Sequence, residues 1–149
     1  MNIESILAPE RTFCGIQASS KKKAIEEVAI LLSSKCANLG PGEIYESLIG
    51  REKLGTTAIG HGIAIPHSRV AQCEEIVGGL FKLATPIDFG AFDEEFVQIL
   101  FVLLVPANEV DEHLKTLAML AGRFESDQYR QALLGASTDQ DLFEKAIAD

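Results

Sequence analysis

Apolar residues recur along this chain in two periods, and the switches between them mark its elements. The stretch at residues 12–18 predicts a strand. Behind it, Ala24, Val28, Leu31 and Leu32 fall at helical spacing after a Ser20 cap, predicting a helix to about residue 38 with Gly40 as its stop. Lys21, Lys22, Lys23 and Glu26 take the positions between and face water. Pro41 opens a second helix that carries Ile44, Tyr45, Leu48 and Ile49 and ends near Lys53, with Gly55 just past its end and Arg51 in its last turn.

Two short apolar segments follow at residues 57–59 and 63–65, then a strand at 76–83 and a buried strand at 96–105 that Pro106 terminates. The remainder predicts helices at about 109–124 and 127–134. A last helix is capped by Ser137 or Thr138, with Leu142, Phe143 and Ile147 on one face. Strands interspersed with helices imply an α/β sandwich. No repeat, low-complexity stretch or linker divides residues 1–149, so a single domain is expected.

Composition narrows the class. Hydrophobic residues make up 47% of the chain and charged residues 23%, which indicates a folded protein and not a disordered one. The longest apolar run, at 97–105, is interrupted by Gln98 and falls well short of the roughly 20 residues a spanning helix needs. The amino terminus has no positive segment followed by a long apolar stretch, so no secretory signal is read and a cytoplasmic location is expected. Cys14, Cys36 and Cys73 are few, odd in number and far apart, which argues for reduced packing residues over a disulfide framework or a zinc knuckle. A formal net charge of −9 repels nucleic acid and anionic membrane surfaces and suits a basic protein partner.

The densest punctuation is Gly60-His61-Gly62-Ile63-Ala64-Ile65-Pro66-His67. Two glycines open a loop, a short apolar segment anchors it, and Pro66 removes a backbone donor just before an imidazole. A second histidine, His113, lies in the first turn of the helix after the buried strand, on the face of Leu117, Leu120, Ala121 and Phe124. It therefore points inward at a helix amino end, where unpaired N–H groups favour a phosphate and disfavour imidazolium. Taken singly, His67 is more simply a loop residue and His113 a satisfied core histidine, and spacing does not decide. His61, between two glycines, reads as an exposed loop residue.

Other chemistries are less well supported. His61, His67 and His113 could in principle ligate zinc, but they match no helical pair and no carboxylate stands at a familiar spacing; Glu109, Asp111 and Glu112 more simply favour the helix start. There is no dinucleotide fingerprint, Walker loop or nucleophile elbow, and Ser68 lacks the setting of a hydrolase nucleophile. Arg51 and Arg69 remain as cations near the candidate histidine.

The stretch from Arg51-Glu52-Lys53-Leu54-Gly55 through Ile65-Pro66-His67 resembles the active-site signature of enzyme IIA proteins of the bacterial phosphotransferase system, fructose/mannitol type. The resemblance extends in order through Ser20-Lys21-Lys22-Lys23-Ala24, Leu103-Leu104-Val105-Pro106-Ala107 and His113-Leu114-Lys115-Thr116-Leu117, and is strongest to the nitrogen-regulatory branch. It implies a largely mixed sheet of about five strands flanked by helices on both sides, with His67 as phosphoryl acceptor, His113 as a neighbouring donor to the phosphoryl oxygens, and Arg51 close by. It further implies a phosphohistidine carrier of the HPr type as donor, no metal or nucleotide cofactor, and regulated kinases or transporters, potassium-related ones among them. His61 and the acids before His113 depart from the expected pattern.

Three roles stay open at this level. One is a regulatory phosphocarrier; the second is a sugar-uptake component passing the group to a separate enzyme IIB; the third is a module that regulates by contact alone. Ile63 and Ile65 are expected either to form an apolar docking collar around His67 or to be buried.

Overall fold

Strand β6 (Val97–Val105) is the spine of the molecule: every residue in it except Gln98 is buried. Such a strand needs cover on both faces and partners on both edges. In the computed structural model, which describes residues 2–36, 38–108 and 110–148, it has both. The other strands are β1 (Thr12–Ile16), β2 (Ala58–Gly60), β3 (Ile63–Ala64), β4 (His67–Arg69) and β5 (Val77–Ile87). Their order is β1-β5-β6-β3-β2, with β4 also pairing with β6. The sheet is mixed: β5 runs antiparallel to β6, β3 and β4 parallel to it.

Alternation along β6 feeds two cores. Ile99, Phe101, Leu103 and Val105 pack with Leu120 and Phe124 of α3 (Val110–Phe124), Leu133 of α4 (Asp127–Leu134) and Leu142 of α5 (Asp139–Ile147). Leu100, Val102 and Leu104 pack on the opposite face with Ala24, Val28 and Leu32 of α1 (Lys21–Ser33) and Ile44 and Leu48 of α2 (Pro41–Glu52). At Gly78 a side chain has no room, since a Cβ would lie 2.7 Å from the Ile6 carbonyl oxygen that accepts the Gly78 N–H.

The expected α/β layers with helices on both faces are present, and α4 has the expected bounds. Elsewhere the structure differs for identifiable reasons. Helix α1 stops at Ser33, not near residue 38, where the Ser33 and Ser34 hydroxyls donate to the carbonyls of Ile30 and Leu31. Gly40 is the N-cap of α2, not the stop of α1. Strand β5 extends to Ile87 because its far end still pairs with Val97. A sixth strand, β4, follows Pro66. Glu109, expected at the start of α3, lies outside the described residues. Among those residues no helix is long and apolar enough to cross a membrane.

Candidate active site around His67 and His113

Strands β3 and β4 both run parallel to β6, in register at Ile63↔Ile99 and at His67↔Leu103, with a jog between them at Ile65-Pro66. Pro66 has no N–H to give the ladder, but its carbonyl accepts from Leu103 N at 2.9 Å. Ile65 gives its N–H to the Thr57 carbonyl at 3.0 Å, continuing the antiparallel pairing of β2 with β3. The jog leaves the Ile65 carbonyl 2.8 Å from His67 Nδ1. A carbonyl can only accept, so Nδ1 carries the hydrogen and Nε2 holds the lone pair.

His113 arrives from the first turn of α3. The two imidazole centroids are 5.2 Å apart, with their planes inclined at 65°. His113 is only 8% exposed, and among the described residues its Nε2 is a buried polar atom with no hydrogen-bond partner. Buried polar atoms are nearly always paired, so an orphan beside another imidazole makes His113 a candidate site residue.

Burial and nearby charges push both rings toward the neutral form. Burial pushes His67 below the ordinary histidine range; the bond to Ile65 opposes this, the Arg51 charge adds to it, and Glu52 opposes it. Burial also lowers His113, followed by the charges of His67, Arg69 and Arg51. The sequence pointed to the helix end as a cause of a neutral His113; the structure adds burial and the neighbouring charges.

Arg51, in the last turn of α2, donates from Nη1 to the Gly55 carbonyl at 2.9 Å. This bond uses one of five guanidinium N–H groups. Arg69, at the exposed end of β4, supplies a second cation. Ser68 points to the opposite side of β4, where the Ser47 hydroxyl bridges it (2.7 Å) and the Arg69 carbonyl (3.1 Å). It ties β4 to α2 and plays no part at the imidazoles.

His61 stands apart from the pair. It is exposed at φ 57°, flanked by Gly60 at 93° and Gly62 at 79°, and its N–H donates to Asp93 Oδ2 at 2.9 Å. That bond and one from the Glu95 N–H hold the Asp93 carboxyl below its usual range. Among the described residues no group of three or more His, Cys, Asp or Glu side chains is arranged to hold a metal ion. Ile63 and Ile65 are 1% and 3% exposed, so neither forms a docking collar. Near the site residues in sequence, the exposed apolar side chains are Leu54 after α2 and Val110 and Leu114 on α3.

Sequence reasoning missed Glu52 and Thr57, both buried beside the site. One signal was available, because an acid on the last residue of a helix opposes the helix dipole. Lys21, read from sequence as facing water, is instead half-buried and pairs with Glu52.

Residues 5–147 match the family described as "Phosphoenolpyruvate-dependent sugar phosphotransferase system, EIIA 2". The chain belongs to this enzyme IIA family. It is 37% identical over 147 residues to the nitrogen regulatory protein of Pseudomonas aeruginosa, covering 99% of this chain and 96% of that protein. The crystal structure of nitrogen regulatory protein IIA-Ntr from Neisseria meningitidis superposes with a TM-score of 0.90 at 35% identity, over 97% of this chain and 98% of that one. The IIA mannitol structure from Escherichia coli shares the fold, with a TM-score of 0.77 at 20% identity over 93% of this chain and 97% of that one.

Proposed function

We propose that this enzyme IIA chain is a cytoplasmic, single-domain phosphocarrier of a nitrogen-type phosphotransferase system. It accepts a phosphoryl group on His67 Nε2 from an HPr-type phosphohistidine protein and regulates protein partners according to its phosphorylation state. One observation carries the reading: the Nδ1–H bond to the Ile65 carbonyl fixes the Nε2 lone pair as the nucleophile, beside the second imidazole 5.2 Å away. In transfer, the new Nε2–P bond forms as the donor's N–P bond breaks in line, and the donor imidazole leaves with its electron pair. The protein's part is alignment and charge stabilisation. His113 donates to the phosphoryl oxygens from its buried Nε2, and Arg51 offsets their charge.

Phosphorylation adds about two negative charges, with the ester phosphate as a guide, to a chain already at −9. A charge change of this size at His67 alters the surface a partner meets, so partner choice switches without refolding. The 37% identity to a nitrogen regulatory protein favours regulation over sugar uptake. The test is intact-mass analysis after incubation with phosphoenolpyruvate, enzyme I and an HPr-type carrier. Wild type gains one acid-labile phosphoryl group, His67→Ala gains none, and His113→Ala and Arg51→Ala gain it slowly. No gain in wild type with its cognate donor would sink the carrier reading and leave regulation by contact.

A further inference from the structure

Glu52 is the one buried carboxylate among the described residues, and it sits where helix electrostatics disfavour it. It is the last residue of α2, where the dipole is negative, and its partner Lys21 is the first of α1, where the dipole is positive. Each therefore opposes its own helix and is compensated by the other, at 2.6 Å. A well-packed apolar pair would join α1 to α2 without burying charge. Placements that violate a local preference and are compensated elsewhere concentrate at functional sites.

What the carboxylate holds is informative. Glu52 Oε2 accepts the Thr57 N–H at 3.2 Å, and Oε1 accepts the Thr57 hydroxyl. The Thr57 carbonyl accepts the Ile65 N–H at 3.0 Å, and the Ile65 carbonyl accepts His67 Nδ1–H at 2.8 Å. Lys21 Nζ also donates to the Phe89 carbonyl at 3.3 Å, and the Thr56 hydroxyl to the same oxygen at 2.7 Å, so the relay is braced on the loop before β6. These bonds connect a partly buried ion pair to the imidazole in three steps.

We propose that Glu52 is a positioning residue for His67: through Thr57 and the Ile65 carbonyl it fixes the Nδ1–H tautomer and so aims Nε2 at the incoming phosphoryl group. The inference rests on His67 as the acceptor. A staple that merely joined the helices would use neither Glu52 oxygen on Thr57. Hydrogen bonds to a charged acceptor are the stronger kind, which suits a group that must hold a backbone segment still.

The experiment is nitrogen-15 NMR of the histidine side chains in wild type, Glu52→Gln and Thr57→Val, with phosphoryl uptake from a phosphorylated HPr-type carrier measured in parallel. In wild type His67 shows a protonated Nδ1 and an unprotonated Nε2. In Glu52→Gln the two signals move toward a tautomer mixture, His113 holds its shifts, and uptake slows about tenfold, the scale of lost outer-shell support. Thr57→Val, which leaves the Lys21–Glu52 pair intact, moves His67 in the same direction and carries the test if Glu52→Gln does not fold. Unchanged His67 signals in the folded variants overturn the proposal. A wild type that takes up no phosphoryl group, while the variants still shift the tautomer, refutes the carrier reading and leaves the positioning role standing.

Discussion

His113→Leu is expected to make the protein more stable and less active at once. The residue is 8% exposed and its Nε2 has no partner among the described residues. Leaving such an atom buried costs about 1–3 kcal/mol, and leucine fills similar space without it. Leucine is also a slightly better helix former. Taking about 2 kcal/mol per molar as the urea dependence of a chain this size, the unfolding midpoint should rise by about 0.5–1.5 M.

Transfer moves the other way. Removing one preorganised donor to a developing oxyanion slows a reaction by about 10²–10³. The two quantities are read from one preparation, by urea titration followed by circular dichroism and by rapid-quench phosphoryl uptake. His113→Ala separates the effects, since it also opens a cavity and should lower the midpoint while slowing uptake equally. A His113→Leu variant that is less stable than wild type and accepts phosphoryl at the wild-type rate would refute the assignment of the buried nitrogen to transfer.

Two further predictions concern stability. His67 and His113 both titrate below the ordinary histidine value in the folded protein, so below about pH 6.5 the unfolded chain binds protons that the folded one does not. Stability should therefore fall as pH drops through that window and level off above it, and a His67→Ala, His113→Leu double variant should show a flatter urea-midpoint profile between about pH 5 and 7.5; equal slopes in the two proteins would count against the burial argument. Gly78→Ala places a Cβ 2.7 Å from the Ile6 carbonyl oxygen and should cost about 1–3 kcal/mol, measured as a lowered thermal midpoint; an unchanged midpoint would mean that the amino-terminal segment yields freely.

Local signals were enough wherever an element is specified by its own residues. Ser126 and Thr138 cap α4 and α5 through side-chain oxygens that accept backbone N–H groups within the same turn, and Pro41 opens α2 by the same kind of short-range preference. The all-apolar β6 could only be a covered central strand. Local signals failed at the end of α1, where two serine hydroxyls outcompete propagation, and at β4, a segment that becomes a strand only because β6 presents free ladder positions beyond the Pro66 jog.

The same division holds at the site. The sequence by itself determined the α/β class, the family, and two histidines as candidates, because periodicity, caps and the glycine-proline punctuation before His67 are written in neighbouring residues. Only the tertiary structure decided that the two rings meet at 5.2 Å, that Ile65 fixes the tautomer, that Ile63 and Ile65 are core and not collar, and that Glu52 is buried against Lys21. Each of these depends on which distant segment lies opposite, and register between segments is set by packing of the whole sheet and its helices, which no local pattern encodes.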